Sequence, residues 1–342
     1  MLRKIKRSGA GYVLPAVLVV AVVMLYPLFY TLIMGFFNNT LFMQTPVFCG
    51  ISQYKKLFGD KVFIGSIGNT LLWTFGSVFF QFGLGFIMAL VLHQPFVKGK
   101  TFIRILLMIP WVTPSIIGSV VWKWMYNADY GIINFIFCSL GIIETNQTWL
   151  SNPKVAMWSV IAVNTWKMFP FILLMIEAAL QSVSKDLKEA AVIDGANILD
   201  IFKNVTWPSI AATCYSTILL MIIWTLNAFT FIYAMTEGGP AHKTEVMAMY
   251  IYKRAFMDYD FGMASAASAV LFVLSMSVSL VYLYLTREKE GKKNGENEKV
   301  RNRHQSGLAG LYLCGFAPGG SGGRLSGNLD AVHFHQASHG TI

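Results

Sequence analysis

Two groups of residues in this sequence combine polar chemistry with fixed spacing. The first runs from Glu189 to Pro208 and reads EAAVIDGANILDIFKNVTWP. Its small side chains, Ala190 and Ala191, let a partner approach closely. Glu189 and Asp194 can supply directional contacts, Gly195 sits at the centre and Pro208 closes the segment. The second group lies inside two apolar runs. Asn164, Lys167 and Phe171 fall at i, i+3 and i+7, on one helical face. Trp224, Thr225, Asn227 and Thr230 form a polar and amphipathic cluster further on. An Asn amide can bond sugar hydroxyls, and a flat ring can lie against the CH face of a pyranose. Asn164 can equally serve an interhelical hydrogen bond. Lys167 can meet a substrate, or can pair with Glu177 or a carbonyl. Signatures of bond-making chemistry are missing: the sequence has no HExxH, no GxSxG and no carboxylates clustered inside an apolar run. It also has no GxxxxGK[ST], so it has no P-loop with which to hydrolyse ATP.

The elements that must position these groups are apolar runs. The chain of 342 residues is 55% hydrophobic and only 13% charged, with a mean hydropathy of +0.54. Soluble domains carry about 25% charged residues. Half that fraction, spread over several apolar runs of roughly 20 residues, describes an all-α polytopic membrane protein embedded in a lipid bilayer. Six spans are expected, at about 11–37, 70–92, 102–125, 155–180, 209–233 and 263–285. Pro15 and Pro27 are expected to bend the first, and Gly83 and Gly85 to allow close helix contact in the second. The third holds Pro110 and Pro114 and ends in Trp122 and Trp124, an aromatic anchor. Residues 51–58 form a candidate interfacial helix in the first connection.

The net charge of +10 does not imply nucleic acid, because Lys and Arg collect in the cytoplasmic loops of membrane proteins. Alternate connections carry Lys and Arg in a ratio of roughly 17 to 7. That places residues 1–10, the 182–208 loop between spans four and five, and the tail 287–342 on the cytoplasmic side. Lys55, Lys56 and Lys61 weigh against this orientation. The tail after Arg303 turns to Gly, Ser and His without helical period, and is expected to be disordered and dispensable. The four cysteines, Cys49, Cys138, Cys214 and Cys314, are far apart and suggest neither a metal site nor a disulfide framework.

Within the 182–208 loop, Ser184 is placed to cap a helix whose Leu187, Ala190 and Ala191 share a face. Gly195 falls where that helix should end, and Asn197 can cap a second one with Ile198, Phe202 and Val205 along its stripe. Pro208 suits the first turn of the fifth span. Such a hairpin can pack under its own bundle, or it can dock a partner.

This loop resembles the EAA motif of the permease subunits of ABC importers, in which EAA is followed by three residues and Gly. Glu189, Ala190, Ala191 and Gly195 match that spacing, and Asp194 and Ala196 match its commoner DGA form. The stretch from Thr236 through Gly238-Gly239-Pro240, Thr244, Tyr250-Ile251-Tyr252 and Ala255-Phe256 to Phe261-Gly262 looks like a run in carbohydrate-type permeases. Asn164-Thr165-Trp166 before Phe169-Pro170-Phe171 is similar to the fourth span of the maltose and glycerol-phosphate permease subunits. The resemblance covers residues 10 to about 286.

It implies a type I importer fold and a sugar substrate. It also implies a second permease subunit as a heterodimeric partner, two cytoplasmic ATPase subunits, and an extracellular or periplasmic solute-binding protein. No cofactor is expected on this chain, since ATP is used by the ATPases. Glu189, Ala190, Ala191, Asp194 and Gly195 would couple to those subunits, whose closure rocks the spans open outward. The sugar-contact positions of the maltose permease subunit fall near Asn164, Met168 and Phe171 in the fourth span and near Met221, Thr225 and Ala228 in the fifth. Several are apolar here where the maltose protein is polar, which argues against maltose itself. A secondary, ion-coupled transporter of a small polar solute is the alternative, and it should show repeated halves and discontinuous helices.

Overall fold

The computed structural model describes residues 10–282 and Tyr284. The expectations for residues 1–9 and for the tail 287–342 fall outside the described residues. The first apolar run forms α1 (Ala10–Val20) and α2 (Tyr26–Met34), joined by a π-helical turn, Ala21–Leu25. A second π turn, Phe202–Thr206, lies in the 182–208 loop. Each precedes a proline, Pro27 or Pro208. A proline ring cannot sit over the carbonyl four residues back and offers it no N–H. Those carbonyls, Val23 and Asn204, fall inside the two π turns, so widening the turn relieves the clash.

Two short strands follow, β1 (Phe37–Asn38) and β2 (Val47–Phe48), paired antiparallel with Phe37 opposite Phe48. The expected interfacial helix is α3 (Ser52–Gly59). The helix of the second span, α4, runs Lys61–His93 and begins nine residues before the expected position 70. The added turns contain Lys61, Ser66 and Asn69, in a stretch that reads in sequence as the end of a polar connection. Ser66 and Thr70 are buried, with the Thr70 hydroxyl donating to the Ser66 carbonyl and accepting from the Met247 N–H at 2.8 Å.

Asp60 starts α4, its carboxylate accepting the Val62 N–H at 2.8 Å. The same carboxylate takes the Tyr250 hydroxyl (2.8 Å) and the Arg254 guanidinium (2.7 Å), which lies over the Tyr250 ring. Burial pushes the Asp60 carboxyl up, but the bonds from Tyr250, Val62 and Arg254 outweigh it and hold its pKa below the ordinary value. A depressed carboxyl stabilises the fold above its unfolded pKa, and that contribution disappears as pH falls through the folded value. Asp60→Asn keeps an N-cap and deletes only the charge. It should cost about 1–2 kcal/mol of stability at neutral pH, and thermal unfolding in detergent should show the variant converging with wild type in acid.

The third span is broken. α5 (Lys100–Val112) and α6 (Ser115–Met125) meet at a bend of 95°. Pro114 removes the N–H that the Pro110 carbonyl would take, and Thr113 is extended. After α7 (Ile132–Ser139), α8 (Ala156–Gln181) forms the centre of the bundle. Most of its apolar window is buried, against α4, α5 and the fifth span. Gly85 permits the close approach of α4: a Cβ there would lie 2.8 Å from the Phe169 carbonyl. Gly83 has nothing near it and plays no such part.

The loop holds α9 (Lys185–Ile193) and α10 (Ile198–Ile201), and α10 continues through the π turn into α11 (Trp207–Asn227). The expected separate second helix is therefore the first part of one long rod, Ile198–Asn227. That rod stops before the expected end of the fifth span at 233: Ala228 is extended, and α12 (Thr230–Thr236) follows. α13 (Met247–Phe256) and the last span, α14 (Phe261–Tyr282), complete the described chain. Five of the described helices are long and apolar enough to cross a membrane, six if the bent pair counts as one span. In the first, Val13–Met34, none of the apolar window is buried against the rest of the chain.

Candidate functional site

The loop is built by local rules. Asp194 ends α9, and Gly195 follows at φ 81°, in the left-handed region. The Gly195 N–H donates to the Val192 carbonyl (3.0 Å) and the Ala196 N–H to the Ala191 carbonyl (2.9 Å). This pair of bonds is a Schellman closure and favours glycine at that position. Asn197 then forms a capping box with Asp200, accepting the Leu199 and Asp200 N–H groups at 2.9 Å each. Ser184 occupies the N-cap of α9 without making a side-chain cap bond.

Glu189, Ala190, Asp194 and Gly195 are exposed and Ala191 is half-buried. Around them stand exposed apolar side chains: Ile193 and Ile198 are each 85% exposed, and Leu199 is 76% exposed. The hairpin does not pack beneath its own bundle. Among the described residues, its ties to the rest include a long contact, 3.5 Å, between Lys188 and the His93 ring at the end of α4, and the continuous helix into α11.

The path candidates divide into two sets. Phe171 on α8 meets Trp224 on α11 with ring centroids 5.1 Å apart, tilted by 49°. On its other side Phe171 stacks on Trp111 at the break of the third span, 5.9 Å away and 30° off parallel. The three rings form a wall across three spans, with Trp111 and Trp224 each about two-fifths exposed. Asn227 and the extended Ala228 lie one turn beyond Trp224; Asn227 is exposed and donates to the Ile223 carbonyl at 2.9 Å.

The second set points inward. Thr225 is buried, and its carbonyl takes the Trp73 indole N–H at 3.0 Å. Met168 packs on the core between α4, α8 and α11. Asn164 is buried, its carbonyl accepting the Gln81 amide at 3.3 Å, while its own Nδ2 has no hydrogen-bond partner among the described residues. Lys167 donates to the Trp111 carbonyl at 2.7 Å and to the Thr113 carbonyl. Of the partners considered for it, carbonyls are the ones it finds; Glu177 pairs instead with Arg104, bidentately. Trp111 and Arg104 are the residues that sequence reasoning missed. The Pro110 and Pro114 bracket marks the spot where Trp111 leaves a regular helix. Among the described residues no group of three His, Cys, Asp or Glu is placed to hold a metal ion.

A bundle of apolar helices with a broken span, an aromatic wall shared by three of them, and an exposed apolar loop joined to that wall by a continuous helix describes an integral membrane transport component. The chain belongs to the family of binding-protein-dependent transport system inner membrane components, whose model matches residues 81–290. It is 33% identical over 265 residues to the trehalose/maltose transport system permease protein MalF of Thermococcus litoralis, covering 77% of this chain and 88% of that one. It is 31% identical over 255 residues to the sulfoquinovosyl glycerol permease SmoG of Agrobacterium fabrum, covering 74% and 82%. Among solved structures, the fold is similar to a chain of a bacterial ABC transporter that imports the acidic polysaccharide alginate (TM-score 0.73, 22% identity, 84% of this chain and 98% of that one). It is an ABC importer permease, a transport component and not an enzyme. The broken third span, a feature expected of secondary transporters, therefore occurs in an ABC permease.

Proposed function

We propose that this chain carries a sugar or oligosaccharide into the cell by alternating access, driven by ATP hydrolysis on separate subunits. The observation that carries the proposal is the wall of Trp111, Phe171 and Trp224. Stacked rings between spans offer flat faces to the CH faces of a pyranose, and Asn227 adds a polar group one turn away. The names of the relatives, trehalose/maltose and maltodextrin permeases among them, support a saccharide.

On this reading the 182–208 loop and both termini face the cytoplasm. The loop's exposed α9, carrying Glu189, Ala190, Ala191, Asp194 and Gly195, docks one of two ATPase subunits. A second permease completes the path, a solute-binding protein delivers the sugar from outside, and the chain itself holds no cofactor. The bare, apolar loop supports docking over internal packing, because exposed apolar patches of this kind mark partner surfaces.

The test is uptake by the assembled transporter in proteoliposomes, with its binding protein and a panel of labelled saccharides. Uptake should require ATP and no ion gradient. Phe171→Ala should reduce it about tenfold, the worth of one aromatic contact of about 1.4 kcal/mol, while assembly stays intact. Uptake driven by an ion gradient without ATP would establish the secondary-transport alternative, and an undiminished rate for Phe171→Ala would take the wall out of the path.

A further inference from the structure

We infer that Lys167 is a positioning residue that holds the break in the third span, and through it one face of the aromatic wall. The functional part of this inference rests on the wall being the path. A break at membrane depth frees carbonyls that water would satisfy elsewhere; in hydrocarbon they need a protein partner. Pro114 removes one donor, and the turn of the chain at Thr113 draws the following N–H groups away. Lys167, 8% exposed on the central helix α8, reaches two of the freed carbonyls, those of Trp111 and Thr113. The cation stands at the C-terminal end of α5, where the helix dipole favours positive charge.

Four residues on, one turn along the same face of α8, Phe171 stacks on the Trp111 ring. Lys167 thus grips the backbone of the break while Phe171 holds its side chain. Two of the three donors of the ammonium are directed at main-chain carbonyls, so the group serves the protein's own backbone.

The bend gives a direct readout. Ile105 on α5 and Val121 on α6 are both exposed, and either can carry a spin label once Cys49, Cys138, Cys214 and Cys314 are replaced. Sixteen residues of straight helix span about 24 Å, whereas two arms of about 12 Å meeting at the observed bend bring the ends to about 16 Å. In the full transporter in proteoliposomes, the spin–spin distance should be short with Lys167 and with Lys167→Arg. It should lengthen and broaden with Lys167→Met. Lys167→Gln, measured beside it against failure of the Met variant to assemble, is too short and uncharged and should do the same. A short, sharp distance in either neutral variant overturns the inference.

Uptake of labelled maltose, trehalose and maltotriose is followed in parallel. A loss of about tenfold in the neutral variants, restored by Arg, is expected when the wall is displaced. A lengthened distance with unchanged uptake would leave Lys167 as the brace of the break and reject the wall as the path.

Discussion

Glu189→Lys leaves the subunit in the membrane, with its partners' ATP hydrolysis no longer converted into uptake. The substitution acts on an exposed residue of α9 that touches none of the core, so folding has no reason to change. What changes is the surface offered to a partner. A charge-assisted hydrogen bond contributes about 1.5–3 kcal/mol, and reversing the sign replaces it by repulsion. A loss of that size is at least tenfold in coupling. ATP hydrolysed per sugar imported, measured in proteoliposomes, should rise by that factor. Glu189→Gln should be milder, since an amide keeps an acceptor. Wild-type uptake by the Lys variant would remove the loop from docking.

The second large effect is on the fold itself. Arg104 ties the broken span to α8 through Glu177, whose side chain is only 5% exposed. Arg104→Ala strands that carboxylate in the protein interior without its partner. Breaking a fully buried pair costs about 3–5 kcal/mol; Arg104 is about a third exposed, so about 2–3 kcal/mol is the expected loss. Thermal unfolding of the purified subunit assembly should show it. Arg104→Gln combined with Glu177→Gln removes both charges and should recover most of the stability, because no uncompensated ion remains. Equal loss in the single and the double variant would show that the pair matters through packing alone.

The apolar runs were legible in the sequence, because hydrophobic length is written residue by residue, although the second helix begins nine residues early and the fifth stops at Asn227. The closure at Gly195 and the cap at Asn197 were legible for the same reason: both are made by neighbours along the chain. Helix direction is not local in this way. The run from Phe102 to Met125 looks continuous, yet the axis turns at Thr113, where two carbonyls find Lys167, more than fifty residues away. Burial is invisible in sequence, so residues 61–69, with the buried Ser66 among them, read there as part of a polar connection and not as the first turns of α4. In sequence Glu177 stands only as a candidate partner for Lys167; Arg104 as its actual partner needed the packing of α5 on α8. Among the path candidates, spacing correctly set Asn164, Lys167 and Phe171 on one face of α8. It could not tell that Lys167 turns to the protein's own backbone, that Asn164 is buried with its amide nitrogen unpartnered among the described residues, and that only Phe171 joins the wall.

The π turn at Phe202–Thr206 fixes how the loop is aimed. A π turn holds one residue more than the α-helical turn it replaces, and each residue advances an α-helix by about 100°. Everything before Phe202 is thus rotated by about that angle from where the stripe of α11 would put it. Ile198 and Leu199, both exposed, lie on the part of the rod turned in this way. Remove the surplus residue, and the rod would be a plain helix of the same composition pointing its outer end somewhere else. The compass bearing of the contact surface is set by chain length at a single turn, independently of which side chains the surface bears.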